Sequence, residues 1–228
     1  MNKPTLYVVA GANGSGKSTL INRHKNLIKD IPFVNPDDIA KKLDNTYDGK
    51  DDSLIYRAGR EAITQQNNLI KKHKTFGIET TFSGNRELKI MNKAKEEGYQ
   101  VKLVYVGLNN PIINIERVAE RTQNGGHFVN SETIVRRYDK SMNHNLAKGM
   151  QIADKTYLVD NSKNKDYIVA KFQSEKVIGV TKKEIPSWIK EKPNLYSKIE
   201  THKRYTKTLE KIIEKRENNK SKDLGIER

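Results

Sequence analysis

The chain has 228 residues and no cysteine, which removes disulfide staples, thiolate metal sites and cysteine nucleophiles together. Hydrophobic residues make up 35% and charged residues 31%, and the net charge of +15 attracts polyanions without choosing among nucleic acid, nucleotide and acidic protein. No window is apolar for the length of a membrane span, and the amino-terminal segment before Ala10 lacks a signal-peptide core, so a cytosolic protein is expected.

In chain order, TLYVVAG reads as a buried strand of continuous apolar type, and the run from Gly16 to Ile28 begins a helix directly after it. Phe33 to Asn35 gives a second short strand, broken by Pro36, with Asp37 and Asp38 at a helix start. Leu54, Ala58, Ala62, Ile63, Leu69 and Ile70 predict a long amphipathic helix from about Ser53 to Lys72. TFGIETTFSG is a strand leading into a polar loop, and the following helix closes at Gly98. YQVKLVYVGL is the clearest strand. A helix from about Pro111 to Arg121, a turn at Gly125 and Gly126, a helix from Ser131 to about Lys148 and the strand KTYLVDN follow. This alternation of strand and helix predicts an α/β fold with a parallel sheet flanked by helices.

Beyond Asn161 the pattern changes. YIVAKFQSEKVIGV predicts two edge strands around a polar turn, and Leu195, Ile199, Tyr205, Leu209 and Ile213 would line one face of a helix. The last fifteen residues carry too little apolar content to pack, and a frayed end is expected there. The expected organisation is a core over residues 1–162, with a lid near 111–148, and an extension over 163–228 made of a hairpin and a basic helix. From Lys182 to Arg228 there are 14 basic and eight acidic residues, which reads as a solvated lysine-rich surface ahead of a nucleic-acid site.

Gly11, Ala12, Asn13, Gly14, Ser15, Gly16, Lys17 and Ser18 match G-x-x-x-x-G-K-[ST] between a strand and a helix, the context that phosphate-binding motif requires. The glycines let backbone N–H groups turn inward, and the following helix adds its positive end. Lys17 is expected on the β- and γ-phosphates, Ser18 on Mg²⁺, and Thr19 in packing or on the α-phosphate, so ATP or GTP is the expected ligand. The loop leaves open whether the phosphoryl group goes to water or to a hydroxyl. No aspartate follows a run of four aliphatic residues, which disfavours a hydrolytic motor.

Other strand ends supply candidates. Asp37 is placed to accept a proton from an attacking hydroxyl or to contact Mg²⁺ through water, its alternative being a helix cap, whereas Asp38 fits the helix's first turn. Glu79, Thr80 and Thr81 form a polar cluster suited to a hydroxylated acceptor. Arg117 and Arg121 share a helix face, and Arg136 and Arg137 fall on the next helix, as in a lid that closes over phosphates. Of these, Arg121 and Arg136 are the expected catalytic pair with Lys17 and Asp37. His127 either contacts phosphate or closes the turn.

The ordered set GANGSGKST, NPDDIA, ETTFSG, ERVAERTQNGGH, IVRRY and VDNS, from about Thr5 to Ser162, resembles the zeta-toxin family of P-loop kinases, in particular its short bacterial branch. The resemblance implies an ATP-dependent kinase acting on a 3′-hydroxyl of UDP-N-acetylglucosamine, restrained by an antitoxin protein. By motif it gives Asp37 the role of base, Lys17 and Ser18 the phosphate and Mg²⁺ roles, Glu79 and Thr81 acceptor contacts, and Arg121 with Arg136 the transition-state charge. Two rivals stand beside it: a kinase acting on a nucleotide or nucleic-acid end, and a nucleotide-dependent binding module without catalysis.

Overall fold

An unalternating apolar run is what a strand covered on both faces requires, and Thr5–Ala10 forms such a strand, β1, buried at every position except Tyr7. The computed structural model describes residues 3–28, 31–44, 51–163 and 165–223. After β1 come α1 (Lys17–Arg23), α2 (Lys25–Ile28), β2 (Phe33–Val34), α3 (Pro36–Leu43), α4 (Asp52–Lys71), β3 (Phe76–Thr80), α5 (Arg86–Glu96) and β4 (Gln100–Gly107). The second half holds α6 (Pro111–Gln123), α7 (Ser131–Asp139), a π-helical turn (Lys140–Asn145), α8 (Leu146–Ile152), β5 (Lys155–Asp160), β6 (Tyr167–Gln173), β7 (Lys176–Val180), α9 (Ser187–Lys190) and α10 (Pro193–Asp223). Side chains of Asn35, Asp51, Asn110 and Asn130 cap α3, α4, α6 and α7, which sets where each of those helices begins.

The strands form one seven-stranded sheet in the order β2-β3-β1-β4-β5-β6-β7. Strands β1 to β5 are parallel, as expected, while β6 and β7 run antiparallel to their neighbours. A tight connection such as the one through Ser174, at φ 51°, can only join antiparallel strands. The chain leaves β1 toward β2 on one side and reaches β4 on the other, so the crevice at the carboxyl end of β1 is the switch point where an open α/β sheet binds ligands.

The main core gathers Leu6 and Val8 of β1, Leu103 and Tyr105 of β4, and Leu158 of β5 with Ile70, Met91 and Leu146 from the helices. It also takes in Phe172, Trp188, Ile189 and Ile199 from the carboxy-terminal third. Each such side chain contributes about 1.5–3 kcal/mol when fully buried. Val118, Val129 and Ile134, with Ile115 against them, form a separate small cluster between α6 and α7. Helix α10 continues past Ile213, and its apolar stripe divides: Ile199 is buried and Leu195 packs on the core, while Tyr205, Leu209 and Ile213 are exposed. Part of the end expected to fray, residues 224–228, lies outside the described residues. Among the described residues no helix is long and apolar enough to cross a membrane.

Candidate active site

The loop between β1 and α1 is shaped by backbone that only glycine tolerates. Gly14 has φ 76° and Gly16 φ 95°. A Cβ would come within 2.5 Å of the Asn114 carbonyl oxygen at Gly14 and within 2.3 Å of Asn161 Nδ2 at Gly16. Helix α1 starts at Lys17 without a side-chain cap, so its first N–H groups face the loop's interior. Asn13, Gly14, Gly16, Lys17, Ser18 and Thr19 line a cavity of about 590 Å³, whereas Gly11, Ala12 and Ser15 sit behind it. The Gly11 N–H donates to the Thr80 carbonyl at 3.2 Å, which ties the loop's start to β3.

Lys17 is 7% exposed, and its Nζ donates to the Ala12 carbonyl at 3.0 Å. Burial pushes its pKa down to about 8, against the pull of Glu79 and then Asp37, which favour the charged form. Ser18 Oγ donates to Glu79 Oε1 at 2.7 Å, and Asn35 Nδ2 approaches Glu79 Oε2 at 3.4 Å. Glu79, expected among acceptor contacts, is thus placed beside the residue expected on the metal ion. A hydroxyl and a carboxylate side by side are the hard oxygen donors Mg²⁺ prefers. Thr80 and Thr81 line the same cavity; the Thr80 hydroxyl accepts from the Phe82 N–H at 2.9 Å, and Thr81 Oγ1 lies 3.1 Å from Ser83 Oγ.

Asp37 stands in the first turn of α3, exposed and on the cavity wall. The capping duty belongs to Asn35, whose Oδ1 accepts from the Asp37 N–H at 3.0 Å, so the Asp37 carboxylate is left for the cavity. Asp38 and Lys41 line the same wall.

From α6, Arg117 and Arg121 line the cavity, and Arg121 Nη2 donates to the His127 carbonyl at 3.0 Å, closing the glycine turn. The His127 ring also lines the cavity; burial holds its pKa below the ordinary value while Asp37 acts in the opposite sense. The two arginines of α7 are placed differently. Neither lines the cavity: Arg136 is exposed, whereas Arg137 is half-buried and donates to Asn13 Oδ1 at 3.0 Å, which ties it to the nucleotide loop. Ile134 packs inward on the same helix, and a residue three positions later returns to that face whereas one two positions later does not. Burial, and after it the charge of Arg136, lower the Arg137 pKa, with Asp37 opposing.

Two asparagines escaped the sequence reading. Asn114 is fully buried and donates to the Asn13 carbonyl at 2.6 Å. Asn161 Nδ2 donates to the Ser15 carbonyl at 2.9 Å, and the Asn161 carbonyl accepts from Arg117 Nη2 at 2.9 Å. The signal for Asn114 was its place one turn before Val118 on the buried face of α6; Asn161 gave only its position just past a strand end.

A phosphate cradle at the switch point, a buried lysine, the carboxylates of Asp37 and Glu79, two residues joined through Asn35, and two arginines of α6 on the same cavity define a P-loop phosphotransferase, and the chain is an ATP-binding P-loop kinase. The family model described as Zeta toxin matches residues 1–171, and the chain belongs to the zeta toxin family. An uncharacterized protein of Haemophilus influenzae is 36% identical over 137 residues, covering 60% of this chain and 93% of that protein. Among solved structures, one from the PezAT chromosomal toxin-antitoxin system of Streptococcus pneumoniae gives a TM-score of 0.55 at 15% identity, covering 82% of this chain and 75% of that one. The AvrRxo1-ORF1:AvrRxo1-ORF2 complex with sulphate ions gives 0.63 at 15% identity, covering 86% and 63%. The Pnkp1/Rnl/Hen1 RNA repair complex gives 0.53 at 21%, covering 63% and 45%. At these identities the likeness to the solved structures is one of fold.

Proposed function

We propose that the chain transfers the γ-phosphoryl group of ATP to a hydroxyl of a UDP-activated amino sugar resembling UDP-N-acetylglucosamine. The observation that carries this reading is the single cavity in which Asp37, relieved of capping by Asn35, shares walls with Lys17 and the phosphate loop. Asp37 takes the proton of the attacking hydroxyl as its oxygen bonds to the γ-phosphorus and the bond from that phosphorus to the β,γ-bridging oxygen breaks, releasing ADP. Lys17 and the N–H groups opening α1 hold the β- and γ-phosphates, and Arg121, Arg117 and Arg137 neutralise charge that gathers on the transferred group. Ser18 and Glu79 would hold Mg²⁺, which when bound supplies further neutralisation of the phosphate oxygens. Thr80 and Thr81 face the acceptor. Positioning and electrostatics supply most of the rate, because phosphoryl transfer asks little covalent chemistry of the protein. Family membership and the likeness to a toxin-antitoxin system support a further part of the proposal: the kinase is a toxin that an antitoxin protein restrains.

The test is transfer of labelled phosphate by the wild type and by Asp37→Asn, with UDP-N-acetylglucosamine and a 5′-hydroxyl oligonucleotide offered in parallel. The expected outcome is label on the sugar, lost by a factor of about 10²–10⁴ in the variant, with ATP affinity within about twofold. Label on the oligonucleotide alone would replace the acceptor, and equal activity in Asp37→Asn would remove it as base.

A further inference from the structure

The segment from Thr81 to Asn85 joins β3 to α5 at the acceptor wall of the cavity, and it is held in a shape it would not keep unaided. Phe82 has φ 57°, a left-handed conformation that bulky residues rarely enter, and its ring is fully buried. Its N–H donates to Thr80 Oγ1 at 2.9 Å. Its ring lies against Gly149 of α8, where a Cβ would come 2.5 Å from Phe82 Cζ. Asn145 completes the restraint: one Nδ2 group donates to the Phe82 carbonyl at 3.0 Å and to the Gly84 carbonyl at 2.8 Å.

Asn145 is 4% exposed and ends the π-helical turn between α7 and α8. Each residue of a helix turns the next by about 100°, so without the extra residue of a π turn the Asn145 amide would point away from the loop. The turn is itself fixed to β4, because the buried Ser141 Oγ lies 3.1 Å from Tyr105 Oη. The result on the cavity side is Thr81, on the same wall system as Asp37, with its hydroxyl bridged to Ser83.

We propose that Asn145, presented by the π-helical turn, is a positioning residue for the acceptor: it locks the loop from Thr81 to Asn85 so that the Thr81 hydroxyl meets a hydroxyl-bearing acceptor beside Asp37. The proposal rests on the reading of this wall as the acceptor side. Among the described residues Asn145 does not line the cavity, and its side-chain hydrogen bonds go to Phe82 and Gly84 rather than to the nucleotide loop. Its loss therefore acts on one substrate and spares the other.

Two variants test it. Asn145→Asp keeps the size and removes the donor, setting a carboxylate against two carbonyls; Gly149→Ala, one turn further along the same helix, pushes on the Phe82 ring and stands in if the first does not fold. Amide hydrogen exchange is expected to quicken about tenfold at residues 82–84 with residues 12–19 unchanged. With UDP-N-acetylglucosamine as the probe acceptor, its KM is expected to rise about tenfold while the KM for ATP stays within about twofold. Thr81→Ala should then cost less in the Asn145→Asp background than in the wild type, the non-additivity expected when one residue acts through another. A rise in exchange spread over the whole chain, no rise at 82–84, or parallel loss of ATP and sugar affinity would overturn the proposal. If the wild type transfers nothing to the sugar, the acceptor reading falls, and the exchange pattern alone decides the lock.

Discussion

Lys17 shows what one residue's surroundings do to its chemistry. Because burial pushes its pKa down to about 8, the ligand-free kinase loses this charge well below the pH at which an ordinary lysine does. The sign follows directly. Between about 8 and the usual lysine value the unfolded chain still holds a proton the folded chain has released, so stability without nucleotide rises with pH across that window. On the proposed reading nucleotide binding uses the charged amine, so affinity moves the other way. ATP affinity, measured by titration calorimetry at a series of pH values, is expected to fall about tenfold per unit above that pKa until the lysine of the complex itself titrates. In Lys17→Met the affinity is low throughout and this slope is gone. Lys17 was legible because its motif is contiguous and every part of the cradle lies within eight residues of Gly11. Asn114 and Asn161 were not, because their contribution is a hydrogen bond across 101 and 146 residues to the same loop.

At the scale of elements, helix phase decides which arginine reaches the nucleotide loop. Arg136 and Arg137 are neighbours in sequence and differ by a turn of about 100° around α7. Only Arg137 reaches Asn13 and the field of Asp37. Arg137→Ala is expected to lower kcat by a factor of about 10²–10³, and Arg136→Ala to leave it within about twofold, in steady-state assays at saturating ATP. Strand β1 was readable because burial on both faces leaves an apolar run, and β4 and β5 because their first halves alternate and their second halves turn fully apolar or buried. The π-helical turn was not, since Lys140–Asn145 uses residues an α-helix also accepts and its register is set by tertiary ties from Ser141 and Asn145. Helices α6 and α7 were legible as two helices about a glycine turn, but their small core of Val118, Val129 and Ile134 emerges only when the helices are packed.

Across the whole molecule, the chain beyond the family match closes the core that the matched part leaves open. The match ends at residue 171, yet Phe172, Ile185, Trp188, Ile189 and Ile199 are all 3% exposed or less. Trp188, the only tryptophan, packs its ring where a Cβ on Gly107 of β4 would come within 2.5 Å, and its Nε1 donates to the buried Asp160 carboxylate at 2.9 Å. Asp160 also accepts from Ser162 Oγ at 2.6 Å, and the residue between them, Asn161, holds Ser15 of the nucleotide loop. A segment anchored there is not an independent appendage, and it should unfold with the sheet. Denaturant unfolding followed by tryptophan emission and by far-ultraviolet circular dichroism is therefore expected to give one coincident transition. Trp188→Phe keeps most of the ring and strips the N–H from a buried carboxylate, so the midpoint should fall by the equivalent of about 1–3 kcal/mol with the slope unchanged. An emission transition that runs ahead of the dichroism would show instead that the carboxy-terminal third releases while the kinase sheet stays folded, because the tryptophan reports the joint between them.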